Sequence, residues 1–475
     1  MRTELFIGGE WRPASDGGTF PVIDPASEEL IAEVASATLE DCADAVRLAH
    51  AAGKAWAERP PRERGEVLRR AFELMIERKQ EISELMVREN GKCLRDAQGE
   101  TAYAAEFFRW YSEEAVRNLG EIGRAPSGAN RIVVIQQPIG VSLLVTPWNF
   151  PAAMATRKIG PALAAGCAVI LKPASDTPLT ALLVAELLGE AGVPAGVVNV
   201  LPSRRSGEVV SNMLHNPLVR KLSFTGSTEV GRTLLAEAAD CIVSCSMELG
   251  GNAPFIVLDD ADVDAAVQGA MVAKMRNGGE ACTAANRFFT HERVYEKFSE
   301  KFSAAMKSLK IGPGLDPGVD LGPMINARAI EDIHHLVEDA AGKGADVLTG
   351  GARPGGPGFF YPATVLGRVS SDAGVLKHEI FGPVAPVVVF DDDDELIARA
   401  NDTEYGLVAY VYTNDLRRGM SIAERLEFGM IGLNRGLVSD PAAPFGGVKQ
   451  SGIGREGSHE GMLEFMEKKY IAVEW

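Results

Sequence analysis

Short apolar runs alternate with stretches of helical periodicity along most of this chain, and between residues 140 and 260 the alternation is regular. Gly140-Val-Ser-Leu-Leu-Val-Thr, Ala168-Val-Ile-Leu-Lys172, Val197-Val-Asn-Val-Leu, Lys221-Leu-Ser-Phe and Cys241 to Met247 read as strands, separated by helices over 152–165, 179–190, 206–214 and 227–238. Phe255-Ile-Val-Leu reads as the next strand. Strands separated by helices in this way make a parallel sheet covered on both faces, so the pattern predicts an α/β protein. Residues 3–24 read as short strands and turns around Leu5-Phe6-Ile7, Trp11 and Phe20-Pro-Val-Ile. Thr38 followed by Asp41 predicts a helix start. Leu68, Phe72, Met75, Ile76 and Ile82 predict one long amphipathic helix from Arg62 to about Asn90, stopped at Gly91. A further helix runs from about Asp96 to Asn118, where Tyr103, Phe107, Phe108, Trp110 and Tyr111 read as core. Among the glycines and prolines of 120–140, Arg131-Ile-Val-Val-Ile-Gln-Gln predicts a protruding strand or hairpin, an exposed edge suited to a second copy of the chain.

Beyond 260 the alternation resumes. A helix over 262–275 leads to a strand at Arg287-Phe-Phe-Thr, and a helix with Phe298, Phe302, Ala305 and Leu309 on one face follows. Val384 to Phe390 and Leu407 to Tyr412 read as strands; 312–323, 350–358 and 436–457 read as loops. The charge run Asp391 to Asp394 predicts a solvated loop, and the tail Tyr470-Ile-Ala-Val-Glu-Trp475 a final edge strand.

A chain of 475 residues suggests two or three domains. A net charge of −17, with no Lys/Arg-rich cluster, excludes a nucleic-acid partner, because a phosphate backbone wants a basic face. The start lacks the apolar segment of a secretory signal and no run is long enough to span a membrane, so no membrane partner is expected. Cysteines at 42, 93, 167, 241, 245 and 282 form no Cys-x-x-Cys pair, and the seven histidines show no ligand spacing. The expectation is a reduced, cytoplasmic compartment without a metal, with Cys241 and Cys245 pointing into a core.

Cys282 stands apart from the other five. The glycine pair Gly278-Gly279 precedes it and Thr283-Ala-Ala follows, small flanks that leave a thiol reachable. A free cysteine usually serves as a small buried hydrophobe; the alternative is a nucleophile, which needs a base nearby. Glu248-Leu-Gly-Gly-Asn252 supplies a carboxylate beside a second glycine pair. This motif, Pro147-Trp-Asn-Phe-Pro151, Lys172-Pro-Ala174 and Phe224-Thr-Gly-Ser-Thr228 all fall at or near strand ends, and ligands of parallel sheets sit beyond the carboxyl ends of strands. Phe224 to Gly231 turns a strand into a helix whose first N–H groups either suit a phosphate or are simply capped. Lys172, emerging from a neighbouring strand, favours a nucleotide.

With Asn277-Gly-Gly-Glu-Ala-Cys282, Glu379-Ile-Phe-Gly-Pro383 and Pro444-Phe-Gly-Gly-Val-Lys-Gln-Ser-Gly452, these motifs resemble the aldehyde dehydrogenase superfamily in number, order and spacing, along essentially the whole chain. The resemblance implies a Rossmann-like cofactor domain (1–120 and 139–248), an α/β catalytic domain (249–454) and a small β oligomerisation flap (121–138 and 455–475), assembled as a homodimer or homotetramer. It implies that Cys282 attacks an aldehyde to give a thiohemiacetal and then a thioester. The Asn149 side-chain amide and the Cys282 backbone N–H would form the oxyanion hole, and Glu248 would activate the hydrolytic water. Lys158 and Glu456 would support proton movement. On the cofactor side the resemblance implies Lys172 at the adenine ribose, Ser227 at the pyrophosphate, and Glu379, Phe381 and Trp148 at the nicotinamide end. Ser175, Phe224, Gly226 and Leu249 complete that site. A thiol of ordinary pKa, about 8.5, needs an activating environment, which amides, a lysine and the cofactor are expected to supply.

Two departures from the family pattern carry information. Glu280 stands where a glutamine is usual, so it either opposes the thiolate, gates substrate, or points to solvent. Ser175 stands where NAD-preferring relatives often carry a glutamate for the ribose 2′-hydroxyl. With Arg204 and Arg205 nearby, this predicts NADP, with NAD as the alternative. For substrate, Thr156 to Cys167, Arg276-Asn277 and Gly436 to Gly447 resemble the succinate-semialdehyde dehydrogenases most. That resemblance implies Arg157, Arg276 and Ser439 around a distal carboxylate, to which an arginine presents a matching planar fork; a structural ion pair is the alternative for either arginine. Glutarate semialdehyde or another ω-carboxylated aldehyde is the near alternative substrate. A non-catalytic protein on the same fold and a cysteine hydrolase are the distant alternatives.

Overall fold

The computed structural model of the chain describes residues 1–474; Trp475, the end of the expected last strand, lies outside them. Two large sheets carry the architecture. The first has eight strands in the order Gly452–Ile453, Ser244–Glu248, Val219–Thr225, Val141–Val145, Val169–Lys172, Val198–Val200, Leu5–Ile7 and Glu10–Arg12. The five strands from Ser244–Glu248 to Val198–Val200 run parallel; the flanking ones are antiparallel. Successive side chains of a strand point to opposite faces, and here they feed two cores. Leu144, Val169 and Leu171 pack with the Pro151–Ala165 and Pro178–Glu190 helices, while Leu143, Val145 and Ile170 pack with the Leu39–Glu58 and Ser206–Leu214 helices.

The second sheet has seven strands: Asp346–Thr349, Thr364–Gly367, Val384–Phe390, Ala285–His291, Ala253–Val257, Val408–Tyr412 and Met430–Leu433. All but the first run parallel. Its core contains an aromatic row, Phe255, Phe288, Tyr410 and Tyr412, with the ring centroids of Phe255 and Tyr412 stacked at 5.0 Å. A third sheet joins Glu121–Arg124, Arg131–Pro138 and Met466–Val473 as an antiparallel ribbon, so the predicted hairpin is present and the terminal strand begins earlier than its sequence suggests.

Several sequence expectations need correction. The long helix from Arg62 is two, Pro61–Glu77 and Lys79–Asn90. Arg78 leaves helical dihedrals and bridges Glu81, Glu186 and Glu190; a one-residue break hardly disturbs the apolar spacing, so periodicity does not register it. The acidic run Asp391 to Asp394 is a helix start: Asp392 accepts from the N–H groups of Asp394 and Glu395, and its neighbours favour the positive helix end. The strand expected from Cys241 begins at Ser244. Cys241 ends the preceding helix in solvent, contrary to expectation, whereas Cys245 is half-buried and packs against the core beneath the sheet. Finally, the strand bearing Lys172 is not adjacent to the one ending at Phe224-Thr225, because Val141–Val145 lies between them.

Candidate active site

The carboxyl ends of the parallel strands of the first sheet open on a cavity of about 240 Å³, walled from the other side by the second sheet's loops. Pro147, Trp148, Asn149 and Phe150 follow one strand; Thr225, Gly226 and Ser227 follow another; Leu249 and Gly250 follow a third. Cys282, Glu379 and Phe381 close it. Of the motif residues, Trp148, Asn149, Gly226, Ser227, Leu249, Cys282, Glu379 and Phe381 therefore share one space.

Cys282 sits between the kinked turn Arg276–Gly279 and the Ala285–His291 strand. Two glycines allow this approach. A Cβ on Gly251 would fall 2.4 Å from the Cys282 carbonyl, and one on Gly279, at φ +82°, would fall 2.3 Å from the Gly382 carbonyl. The thiol keeps partial exposure through the cavity. Protein nevertheless surrounds it densely, and burial pushes its pKa up to about 12, with Arg157 opposing and Glu379 and Glu248 reinforcing the rise. Burial thus favours the protonated thiol over the thiolate.

Asn149 donates its side-chain amide to the Glu280 carbonyl at 3.0 Å. An amide nitrogen carries two N–H groups, so a second donor is available beside the sulfur. Glu248 ends its strand buried with neither carboxylate oxygen hydrogen-bonded. Burial first, and then the charge of Glu456, raise its pKa well above the ordinary range. Lys158 lies behind it, its Nζ donating to Glu456 Oε1 at 2.5 Å and to Ser223 Oγ at 2.9 Å. Burial lowers the Lys158 pKa, whereas Lys158 and Arg157 overcome burial at Glu456 and hold that carboxyl below its usual value.

The two arginines differ. Arg157 is buried and already answered, 2.6 Å from Glu456 Oε2 and 4.2 Å above the Phe445 ring, so the ion-pair alternative holds at this residue. Arg276 makes no ion pair among the described residues; its guanidinium lies 4.8 Å from the Phe150 ring and 5.4 Å from that of Tyr103, and reaches Ser439 Oγ at 3.5 Å. Glu280 does not face solvent. It is buried, Oε1 accepts the Ile325 N–H at 3.1 Å, and burial raises its pKa to about 8, opposed by that bond and by Lys92.

On the cofactor side, Ser227 caps the Thr228–Asp240 helix, accepting from the Val230 N–H. Phe224 and Leu249 are buried beneath it: a Cβ on Gly226 would fall 2.5 Å from the Phe224 ring, and one on Gly231 2.4 Å from Leu249. Lys172 is buried, hydrogen-bonds Ser206 Oγ, and has its pKa lowered by burial to about 8. Ser175 is half-buried three residues on. Arg205 is engaged by Asp16 and Glu208, whereas Arg204 is exposed and has no ion pair among the described residues. Glu379 accepts the Gly251 N–H at 3.1 Å with its pKa raised by burial to about 7, and Phe381, at φ +50°, meets the Trp148 ring edge-on at 5.4 Å.

Sequence reasoning missed Lys92, Glu100 and Ser206, which help to hold this site together, and gave Asn277 no role beyond its motif. One signal was present. Glu100 occupies the apolar stripe of its helix with Ala97, Ala104 and Phe107, and a charge on such a stripe needs a buried partner.

A thiol, an amide donor and an unpaired carboxyl at the carboxyl ends of a doubly wound sheet make a site suited to an enzyme that works at sulfur. The family profile described as Aldehyde dehydrogenase family matches residues 11–471, and the chain belongs to that family. It is 53% identical to a succinate-semialdehyde dehydrogenase of Paenarthrobacter nicotinovorans, over 94% of this chain and 99% of that one. It is 49% identical to a glutarate-semialdehyde dehydrogenase of Pseudomonas putida, over 100% and 98%. The crystal structure of an NADP-dependent enzyme of Escherichia coli superposes with a TM-score of 0.98 at 47% identity, covering 100% of this chain and 98% of that one. No helix among the described residues is long and apolar enough to cross a membrane.

Proposed function

We propose that this enzyme oxidises a short aldehyde bearing a distal carboxylate, succinate semialdehyde first and glutarate semialdehyde as the alternative, with NADP preferred over NAD. One observation carries the substrate reading: Arg276, without an ion pair among the described residues, is held between two aromatic rings with Ser439 alongside, and one of those rings, Phe150, walls the cavity that holds the thiol. Arginine and a hydroxyl there take the distal carboxylate, and Arg157, already paired, adds positive potential from behind. The relatives named for succinate and glutarate semialdehydes support the class.

The residues present fit a dinucleotide. The capped helix start at Ser227 suits a pyrophosphate, Lys172 with Ser206 lies where an adenine ribose would rest, and Ser175 leaves no carboxylate to repel a 2′-phosphate. Bound, the dinucleotide supplies the hydride acceptor. Cys282 Sγ bonds to the carbonyl carbon as the C=O π pair moves onto oxygen, and the thiol proton passes to solvent through the open cavity. The Cys282 N–H and the second N–H of Asn149 receive the negative charge that develops on oxygen. Once the thiohemiacetal carbon has given up hydride, the thioester is hydrolysed by water deprotonated at Glu248, which Lys158 and Glu456 back from the buried side. Because burial raises Glu248, the base form gains ground as pH rises.

The sheets support a division into a cofactor domain (1–120 and 139–248), a catalytic domain (249–454) and a flap (121–138 and 455–475), with Gly452–Ile453 lending one strand to the cofactor sheet. On the flap Ile122 is 71% and Tyr470 58% exposed, apolar surface suited to covering by a second subunit of a homodimer or homotetramer. Six unpaired cysteines suit a cytoplasmic enzyme. The test is NADPH and NADH formation across an aldehyde panel. Arg276→Ala is expected to raise KM for succinate semialdehyde roughly 10–100-fold, the worth of a charged hydrogen-bonded contact, while a neutral aldehyde of equal length changes little. Equal changes for both aldehydes overturn the substrate reading, and a higher kcat/KM with NAD overturns the cofactor preference.

A further inference from the structure

The loop that carries Asn149 has no regular structure of its own, and side chains from elsewhere in the chain hold it. The Trp148 carbonyl accepts from Asn90 Nδ2 at 3.1 Å and from Thr177 Oγ1 at 3.3 Å. The Asn149 carbonyl accepts from Lys92 Nζ at 2.7 Å and from Asn277 Nδ2 at 2.8 Å. Lys92 is itself buried and paired with Glu100, whose Oε2 meets its Nζ at 2.5 Å; both side chains are essentially without solvent contact. The remaining oxygen of Glu100, Oε1, accepts the N–H groups of Ala152 at 2.9 Å and Ala153 at 3.1 Å, the first turn of the Pro151–Ala165 helix. The Lys92 ammonium also stands 4.4 Å from the Phe150 ring centroid. One ion pair therefore grips the backbone at Asn149 and just beyond it, the lysine at its carbonyl and the carboxylate two peptides further on.

Burying two charges costs several kcal/mol per ion in desolvation, and a well-packed apolar pair is often as stable or more so. Stability alone is thus a poor account of this pair. Position is a better one, because a donor aimed at a developing oxyanion works only when held to about half an ångström. We infer that Lys92 and Glu100 are positioning residues, which set where the Asn149 side-chain amide stands relative to the Cys282 sulfur; this rests on the reading of Asn149 as an oxyanion donor. Asn277 belongs to the same device, since its amide bridges the Asn149 and Glu280 carbonyls at 2.8 and 3.1 Å and so ties the donor's loop to the cysteine's.

A double-mutant cycle tests the inference. Steady-state NADPH formation from succinate semialdehyde is compared in the wild type, Asn149→Ala, Lys92→Met/Glu100→Gln and the triple variant; the paired substitution leaves no orphaned buried charge. Asn149→Ala is expected to lower kcat by about a hundredfold or more, as removal of one oxyanion donor does. The paired variant is expected to lower it by about tenfold to a hundredfold through misplacement, with KM for NADP unchanged. It should add nothing in the Asn149→Ala background, where no donor remains to be misplaced. An equal loss in both backgrounds, or kcat within about twofold of wild type, overturns the inference while leaving the Asn149 reading intact. Full activity of Asn149→Ala overturns both. If circular dichroism shows the paired variant unfolded, Lys92→Arg, which keeps the ion pair but moves the donor, is read in the same cycle with the same expected loss confined to the Asn149 background.

Discussion

At Cys282 the surroundings work against the thiolate. Burial is the largest influence; Arg157 opposes it, Glu379 and Glu248 reinforce it, and the thiol is pushed up to about 12. Below that value the thiolate fraction grows tenfold per pH unit. Alkylation of Cys282 by iodoacetamide, followed by mass spectrometry of the peptide that contains it, is therefore expected to accelerate about tenfold per unit from pH 7 to pH 9. A rate that levels off near neutrality would show a depressed pKa and contradict the geometry. The candidacy of this residue was legible in the sequence, since glycine pairs and an upstream carboxylate and amide motif converge on it. Its protonation was not, because desolvation depends on packing from segments far apart in the chain. The same holds for the arginines. Arg157 and Arg276 looked alike along the chain, and only the position of Glu456 separates the one that is answered from the one that is free.

At the scale of elements, caps and stops were readable because they act over three or four residues. Thr38 and Asp41 form the anticipated capping box, and Gly91 ends its helix in the left-handed region. The break at Arg78 and the fate of Glu280 were not readable, since both depend on partners in other elements. Glu280 fastens the cysteine-bearing loop to the 324–326 segment through the Ile325 N–H. Its folded pKa, about 8, lies above the ordinary 4.5, so between those values the folded chain keeps a proton that the unfolded chain has released. Its contribution to stability is complete below about pH 4.5 and is lost as pH rises towards 8. Glu280→Gln keeps an acceptor for Ile325 but cannot ionise. The variant is therefore expected to gain Tm over the wild type progressively from pH 5 to pH 8, by a few degrees at the upper end. A difference that does not change with pH would place the carboxyl in solvent after all.

At the scale of the molecule, the site exists because the two large sheets face each other across it and because the C-terminal segment returns to the Pro151–Ala165 helix. Glu456 meets Lys158 across 298 residues of chain and Arg157 across one more, all three buried. Removing the carboxylate charge leaves two cations without an answer in a dry interior, a loss of order 3–5 kcal/mol. Glu456→Gln is expected to lower Tm by several degrees at neutral pH by calorimetry; an unchanged Tm would mean that the cluster is reached by solvent. The order of strands likewise emerged only here. Lys172 and Ser227 stand at the carboxyl ends of strands that Val141–Val145 separates, and Gly452–Ile453 joins a sheet assembled otherwise from the first 248 residues.

Within the chain itself, periodicity and short-range hydrogen bonding decided which segments are helices and strands, and the motifs at the strand ends decided the family and the reacting atoms. Those are local matters: a residue's neighbours in sequence are enough to set its backbone and its chemistry. Which charges are paired, which are left free for a ligand, and which titrate far from their ordinary values was decided by the tertiary structure alone. Desolvation and ion pairing are properties of the space around a group, and at this site that space is assembled from residues hundreds of positions apart.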